Sequence, residues 1–307
     1  MKKKLIWFLM AFIVMGLATS YHSDIPLEEL KERYTYSDSE FWNHEGMPIH
    51  YRVSGNGKQT IVLLHGTASS LHTWESWTNN LRKNYRVVSM DLPGFGLTGP
   101  EPNNNYKPER YVQFVDDVLN EIGVDSCIIA GNSFGGYVAW NYAVTHPDKV
   151  TKLGLLNSSG YPRDEESSFD FGFWMSSQGW AQPFVQRFTP RPLIAKSVRN
   201  VYFDEDKITE LKVDRYFHML LRTGNRAGLY GRLTQVRNTN SADIKKVQCP
   251  TLIMWGDHDN LVRVEDAGRF HVDIENSELL IYENMGHIPM EEIPQRSCRD
   301  FRAFIEK

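Results

Sequence analysis

The passage through residues 127–146 constrains the fold more than any other. An unbroken apolar run at 127–130 gives way within a few residues to an apolar helical pattern over 134–146, stopped by Pro147. Between them stands Gly131-Asn132-Ser133-Phe134-Gly135-Gly136. A strand that is apolar at every position is one covered on both faces, as in a parallel sheet layered with helices. So abrupt a turn from strand into helix strains the backbone of Ser133 and crowds the residues two before and two after it, where glycines stand. The Gly-x-Ser-x-Gly pattern alone should occur by chance in roughly one in ten chains of this length, taking each residue at about 7%. At a strand–helix junction it is a strong signal.

The rest of the chain keeps the same rhythm. Residues 39–42 and 48–53 read as a hairpin around Glu45-Gly46, and residues 60–65 and 86–91 are further apolar runs. Tyr111, Val115, Val118, Leu119 and Ile122 recur at threes and fours, an amphipathic helix ending at Gly123. Strands follow at 152–156, 251–255 and 278–282, and a closing helix at 294–306 places Cys298, Phe301 and Ile305 on one face. Strands alternating with helical patterns predict an α/β fold with a mostly parallel sheet covered on both sides. One spacing departs from it. Some ninety residues separate the strand ending near Asn157 from the one starting at Thr251, where a βαβ unit takes roughly 30. Residues 163–243 are therefore expected to form an insertion between core segments 34–162 and 244–307. The insert is rich in aromatics, including Phe173, Trp174, Trp180, Phe184, Phe188 and Tyr216. Most should pack the insert itself, with some facing a cavity beneath it.

Composition excludes several classes. Of 307 residues 41% are apolar, enough for a core that needs no disulfide or metal staple. Charged residues make up 23% with a net charge of −4, which lacks the basic footprint of a nucleic-acid binder. Cys127, Cys249 and Cys298 form no Cys-x-x-Cys pattern, which argues against a zinc or thiol-redox site; their odd number leaves at least one free thiol. At the N-terminus, three lysines precede a fourteen-residue apolar run, residues 5–18, and then Thr19-Ser20. This fits a secretory signal, with an uncleaved anchor as the alternative, over residues 1–20. The run is short for a spanning helix, which wants about 20 apolar residues. The body is expected to be exported, periplasmic or extracellular, or tethered, with membrane contact only through this segment.

A serine hydroxyl is a poor nucleophile until a histidine takes its proton and a carboxylate orients that histidine. After Ser133 the chain offers Asp259, ending Trp255-Gly-Asp-His-Asp259, and then His287 in Met285-Gly-His-Ile-Pro289, each just beyond a predicted strand. Both loops leave carboxyl ends of parallel strands, where open sheets place their sites. Asp257 is the rival acid. His146, ahead of a proline at a helix end, and His258, between two aspartates, read as structural or solvent residues. An oxyanion needs backbone N–H donors. Phe134, directly after the serine, supplies one, and Thr67 in His65-Gly66-Thr67-Ala68 is the best candidate for the other. His65 reads as a residue that shapes this loop rather than as a base.

Leu64-His65-Gly66, Asp91-Leu-Pro-Gly94-Phe-Gly96, Gly131-x-Ser133-x-Gly135, Trp255-Gly-x-x-Asp259 and Gly286-His287 resemble the α/β-hydrolase superfamily, in the order it uses, over approximately residues 40–306. The resemblance implies an eight-stranded sheet, a helical cap after the sixth strand, and a Ser133-His287-Asp259 triad. Ser133 departs from the epoxide hydrolases and haloalkane dehalogenases of the superfamily, which carry Asp at that position. The expected activity is hydrolysis of a carboxylic ester or related small apolar acyl substrate through an acyl-enzyme. The alternatives are a C–C hydrolase of the meta-cleavage type, which usually has an aromatic where Ile288 follows the histidine, and a ligand-binding or sensor protein with little turnover. No cofactor, metal or nucleic-acid partner is expected, and the oligomeric state is left open. Gly94-Phe-Gly96-Leu-Thr-Gly99 satisfies the dinucleotide pattern after a strand but does not open a helix, since Pro100 and Pro102 follow. It is read as a surface turn. Gly55-Asn-Gly57-Lys58 lacks the phosphate-loop spacing and reads as a hairpin-type turn. Of the insert's arginines, Arg187, Arg191, Arg199, Arg215, Arg222, Arg226 and Arg232, most are expected to be solvated, with one a candidate for pairing with a substrate carboxylate.

Overall fold

The computed structural model describes residues 20–162, 171–236 and 240–307. The leader expected over residues 1–20 lies outside them apart from Ser20. Eight strands form one sheet: β1 (Ser39–His44), β2 (Met47–Ser54), β3 (Thr60–Leu64), β4 (Arg86–Met90), β5 (Cys127–Asn132), β6 (Val150–Leu156), β7 (Thr251–Gly256) and β8 (Ser277–Tyr282), in the order β1-β2-β4-β3-β5-β6-β7-β8. β1 and β2 pair antiparallel, as do β2 and β4, and the other pairings are parallel. The β1–β2 turn places Glu45 and Gly46 at φ of 51° and 84°, the doubly positive geometry that suits a two-residue hairpin.

Helices cover both faces. Among them α1 (Pro108–Glu121) buries Tyr111, Val115, Val118 and Leu119, while α2 (Phe134–Thr145) is apolar nearly all round and lies in the middle of the larger core cluster. α3 (Pro294–Ile305) closes the other face with Cys298, Phe301 and Ile305 buried. All three cysteines are free thiols. Helical segments between β6 and β7 form the insertion, the longest being α4 (Arg191–Arg199), α5 (Glu210–Leu221) and α6 (Asn225–Gln235).

Three expectations change. The packed body begins before residue 34, because Leu27–Tyr34 is a helix whose Leu30 is buried in a small cluster with Leu97 and Met219. The Gly94–Gly99 segment is not a surface turn. Gly94 N–H donates to the Gly99 carbonyl at 2.6 Å, and α6 covers the turn so tightly that a Cβ on Gly228 would lie 2.7 Å from the Gly94 Cα. The insert's arginines are also less solvated than expected. Arg222 and Arg226 are buried, and burial lowers the Arg222 pKa to about 10. Distant segments supply partners to both: Arg222 donates to the Thr98 carbonyl as well as to that of its neighbour Thr223, and Arg226 pairs with Asp24.

Candidate active site

Register decides which loops meet. β3 and β5 are neighbours with Leu64 opposite Gly131, so the loop after β3 lies against the residue after β5. That residue, Ser133, has φ 55° and ψ −117°, a conformation that costs on the order of 1–3 kcal/mol and persists only when its surroundings over-determine it. They do. Ser133 N–H donates to the Leu156 carbonyl at 3.0 Å, and its own carbonyl accepts from Ser159 N–H at 3.0 Å. The flanking glycines are obligatory for space: a Cβ on Gly131 would stand 2.2 Å from the Gly135 carbonyl oxygen, and one on Gly135 2.2 Å from that of Leu64.

β7 and β8 deliver the other two groups. His287 Nδ1 lies 2.6 Å from Asp259 Oδ2, with both side chains almost wholly buried. Asp259 Oδ1 accepts from the Leu261 and Val262 amides at 2.7 and 3.0 Å, and Oδ2 also accepts from Asn157 Nδ2 at 2.8 Å. A carboxylate bonded in this way is an acceptor toward His287, which fixes the proton on Nδ1 and leaves Nε2 as the basic nitrogen. Asp257 does none of this; it is more exposed and pairs with its neighbour His258 at 2.6 Å. His146 stacks on Tyr142 beside Asp116, away from these loops.

His287 and Ser133 line one cavity of about 590 Å³, together with Gly66, Thr67 and Ala68. A Cβ on Gly66 would lie 3.1 Å from the Ser133 Cβ, so Thr67 begins directly beside the serine. Phe134 N–H opens α2 immediately after it. His65 is buried and neutral by its bonding: Nε2 accepts from the Leu92 amide at 2.9 Å, so Nδ1 donates to the Gly66 carbonyl at 2.7 Å. Burial also lowers its pKa. It holds the shape of the loop.

Two positioning amides were not evident in the sequence. Asn132 Nδ2 donates to the Leu156 and His287 carbonyls at 3.1 and 2.9 Å, tying the serine turn to the histidine loop. Asn157 orients Asp259. Each ends a parallel strand next to the site, and that position was the available signal. Glu291, four residues after His287, accepts from Thr73 Oγ1 at 2.6 Å and from the cap hydroxyls of Tyr202 and Tyr216 at 2.7 and 2.9 Å. Burial pulls its pKa upward, but Arg215, these hydrogen bonds and Lys212 outweigh that and hold it below the ordinary glutamate value. Glu292 accepts from the Phe203, Asp204 and Gly286 amides. The cap is thus bonded to the histidine loop.

The family model for the alpha/beta hydrolase fold matches residues 59–294. This chain belongs to the α/β-hydrolase fold family. An uncharacterized hydrolase, YugF, of Bacillus subtilis (strain 168) is 27% identical over 268 residues, covering 85% of this chain and 96% of the relative. A 2-hydroxy-6-oxononadienedioate/2-hydroxy-6-oxononatrienedioate hydrolase of Klebsiella pneumoniae is 24% identical over 253 residues, covering 78% and 84%. Among solved structures, that of a bacterial membrane phospholipase A superposes with a TM-score of 0.76 at 24% identity over 100% of this chain and 98% of the other, a likeness of fold. In this α/β hydrolase the serine turn, His287 of the acid–histidine pair and the loop after β3 line one cavity.

Proposed function

We propose that this α/β hydrolase is a serine esterase that cleaves carboxylic esters carrying an apolar acyl group. The observation that carries the reading is the cavity. Ser133 and His287 stand on its floor, and its walls are apolar, with Leu193, Ile194, Val198, Leu229 and Leu233 among them. Ligand pockets of roughly 300–1,000 Å³ with apolar walls and a few polar groups suit a small acyl chain. In this reading Ser133 Oγ attacks the ester carbonyl while His287 Nε2 takes its proton. The Asp259 carboxylate stabilises the imidazolium through Nδ1–H. The oxyanion is received by the Thr67 and Phe134 amides. His287 returns the proton to the leaving alcohol, and water then repeats the sequence on the acyl-enzyme.

The competing C–C hydrolase reading is favoured by the Klebsiella relative and needs a group for an acidic substrate. Two arginines line the cavity. Arg226 is engaged by Asp24, the His22 carbonyl and Thr189. Arg232 lies over the Phe134 ring, 4.3 Å from its centre, and is the cavity arginine whose removal tests that reading. The test is kcat/KM of the purified full chain for neutral esters of increasing acyl length beside matched carboxylate-bearing substrates, followed over many turnovers. The expected result is at least a tenfold preference for the neutral series. A tenfold preference for carboxylates, abolished in Arg232→Gln, overturns the esterase reading. A single turnover with every substrate points to the sensor.

A further inference from the structure

The exposed apolar side chains are not spread evenly. Leu211, Val272 and Ile281 stand singly on separate elements and Phe203 lies apart against the His258 ring, as scattered surface residues commonly do. Trp180, Phe184, Tyr21 and Trp174, exposed by 72, 59, 55 and 43%, all belong to one part of the molecule. The Phe188 ring joins two of them: Tyr21 meets it edge-on at 5.9 Å and Phe184 at 5.4 Å. Trp174 and Trp180 come from the short helical turns Phe171–Ser177 and Gly179–Ala181, which pack on each other and on the turn that carries Phe184. Phe184 and Phe188 also line the acyl cavity. A side chain that is largely exposed and still lines a cavity stands at its mouth, so the mouth opens among these aromatics.

The chain preceding the described residues arrives at the same place. The Ser20 carbonyl accepts from Thr189 N–H at 2.8 Å, and His22 N–H donates to the Arg187 carbonyl at 3.0 Å. Arg226 clamps the segment further through the His22 carbonyl and Asp24. The described chain thus starts at this rim, and the fourteen residues 5–18 that precede it in sequence are apolar behind three lysines. Tryptophan and tyrosine, apolar bodies with one polar atom, favour the level of lipid headgroups.

We propose that the aromatic rim formed by Tyr21, Trp174, Trp180 and Phe184 docks on a lipid bilayer, and that acyl substrates enter the cavity from that bilayer. The entry route rests on the esterase reading; the docking does not. The experiment places the full chain in phosphatidylcholine–phosphatidylglycerol vesicles with an NBD fluorophore on Trp180→Cys or, as control, on Val272→Cys of the core helix Val264–Asp273. Cys127 and Cys298 are buried, and the wild type labelled in parallel supplies the blank. Nitroxide-bearing lipids should quench the label at 180 at least twice as strongly as that at 272. Equal quenching overturns the docking. So does a label at 180 that is shielded in proportion to protein concentration but not quenched by lipid, the mark of a second copy on this face. In a second arm, Trp174→Ser/Trp180→Ser, neither of which lines the cavity, should hydrolyse a soluble short-chain ester within twofold of wild type. It should lose at least tenfold on a long-chain ester carried in the vesicles. Equal change in both assays overturns the entry route. A wild type that hydrolyses neither ester sinks the esterase reading, and quenching alone then decides the docking.

Discussion

The floor and the roof of the cavity are built on opposite principles. On the floor, backbone and side-chain polar groups around Ser133, Asp259 and His287 are tied by short hydrogen bonds from strand-end loops, and the glycines beside Ser133 leave no room for a Cβ. The roof is a set of short helices whose inward side chains are mostly aliphatic and aromatic and whose outward ones include exposed tryptophans. A hydrogen-bonded floor holds atoms in directions, which bond-making requires. An apolar roof holds volume, which is sufficient to select a substrate. Changes on the floor should therefore abolish turnover whatever the substrate, while changes on the roof should re-rank substrates.

The largest expected effect tests the floor. Ser133→Ala and His287→Ala should each lower kcat by about 10⁴-fold or more, because members of such a unit do not act additively. Asp259→Asn should cost about 10³–10⁴-fold, since it would offer His287 the wrong partner for its Nδ1 proton. Asp257→Asn, bonded to the exposed His258, should stay within about threefold. Steady-state kinetics on one reactive ester, with circular dichroism to verify folding, checks all four. Should Asp257→Asn fall further than Asp259→Asn, the acid is misassigned.

The joint between floor and roof comes next. Glu291 is 6% exposed at its side chain and binds Thr73 of the core together with Tyr202 and Tyr216 of the cap, with Lys212 and Arg215 within 4 Å. Glu291→Gln leaves those cations facing a neutral group, a loss of about 3 kcal/mol by the cost of breaking a buried pair. Because the folded-state pKa is depressed, the charge contributes stability above the ordinary glutamate pKa of about 4.3. That contribution disappears as pH falls through the lower, folded value. Urea unfolding should show the largest gap between wild type and variant near pH 7 and a shrinking one below about pH 4. A gap independent of pH would mean that the network holds no charged carboxylate.

The contrast also explains what could be read from sequence. The loops carrying Ser133, Asp259 and His287 could be placed because each follows a short apolar strand and sits in a compact glycine-bearing motif. The aromatic content of the insert was visible for the same local reason. The amides of Asn132 and Asn157 were not recognised, since nothing local separates an orienting amide from any other at a strand end. The burial of Arg222 and Arg226 was not legible because their partners, Thr98 and Asp24, lie more than a hundred residues away in sequence. The burial of the Gly94 turn has the same origin, since the helix that covers it belongs to the insert. Short-range chemistry was legible; contacts closed by the cap were not.

The smallest effect probes the roof. Leu233 lies on α6, is half-buried, and lines the cavity beside Leu229. Leu233→Trp adds bulk at an inward position without touching any group that binds Asp259 or His287. A methylene accommodated in an apolar pocket is worth roughly 1–3 kcal/mol in kcat/KM, about 10–200-fold. Removing room for one or two carbons should therefore shift the preferred acyl length downward. The expected outcome is a loss of at least about tenfold for the longest acyl ester that wild type accepts. The acetyl ester should change by less than about twofold, because its two carbons remain near Ser133. Measuring kcat/KM across the neutral series in both proteins resolves this. A uniform fall at every length would place Leu233 in the support of the catalytic floor. No change at any length would mean that the acyl chain runs along a different wall, toward Leu193 and Ile194 of α4, where the same substitution should then be made.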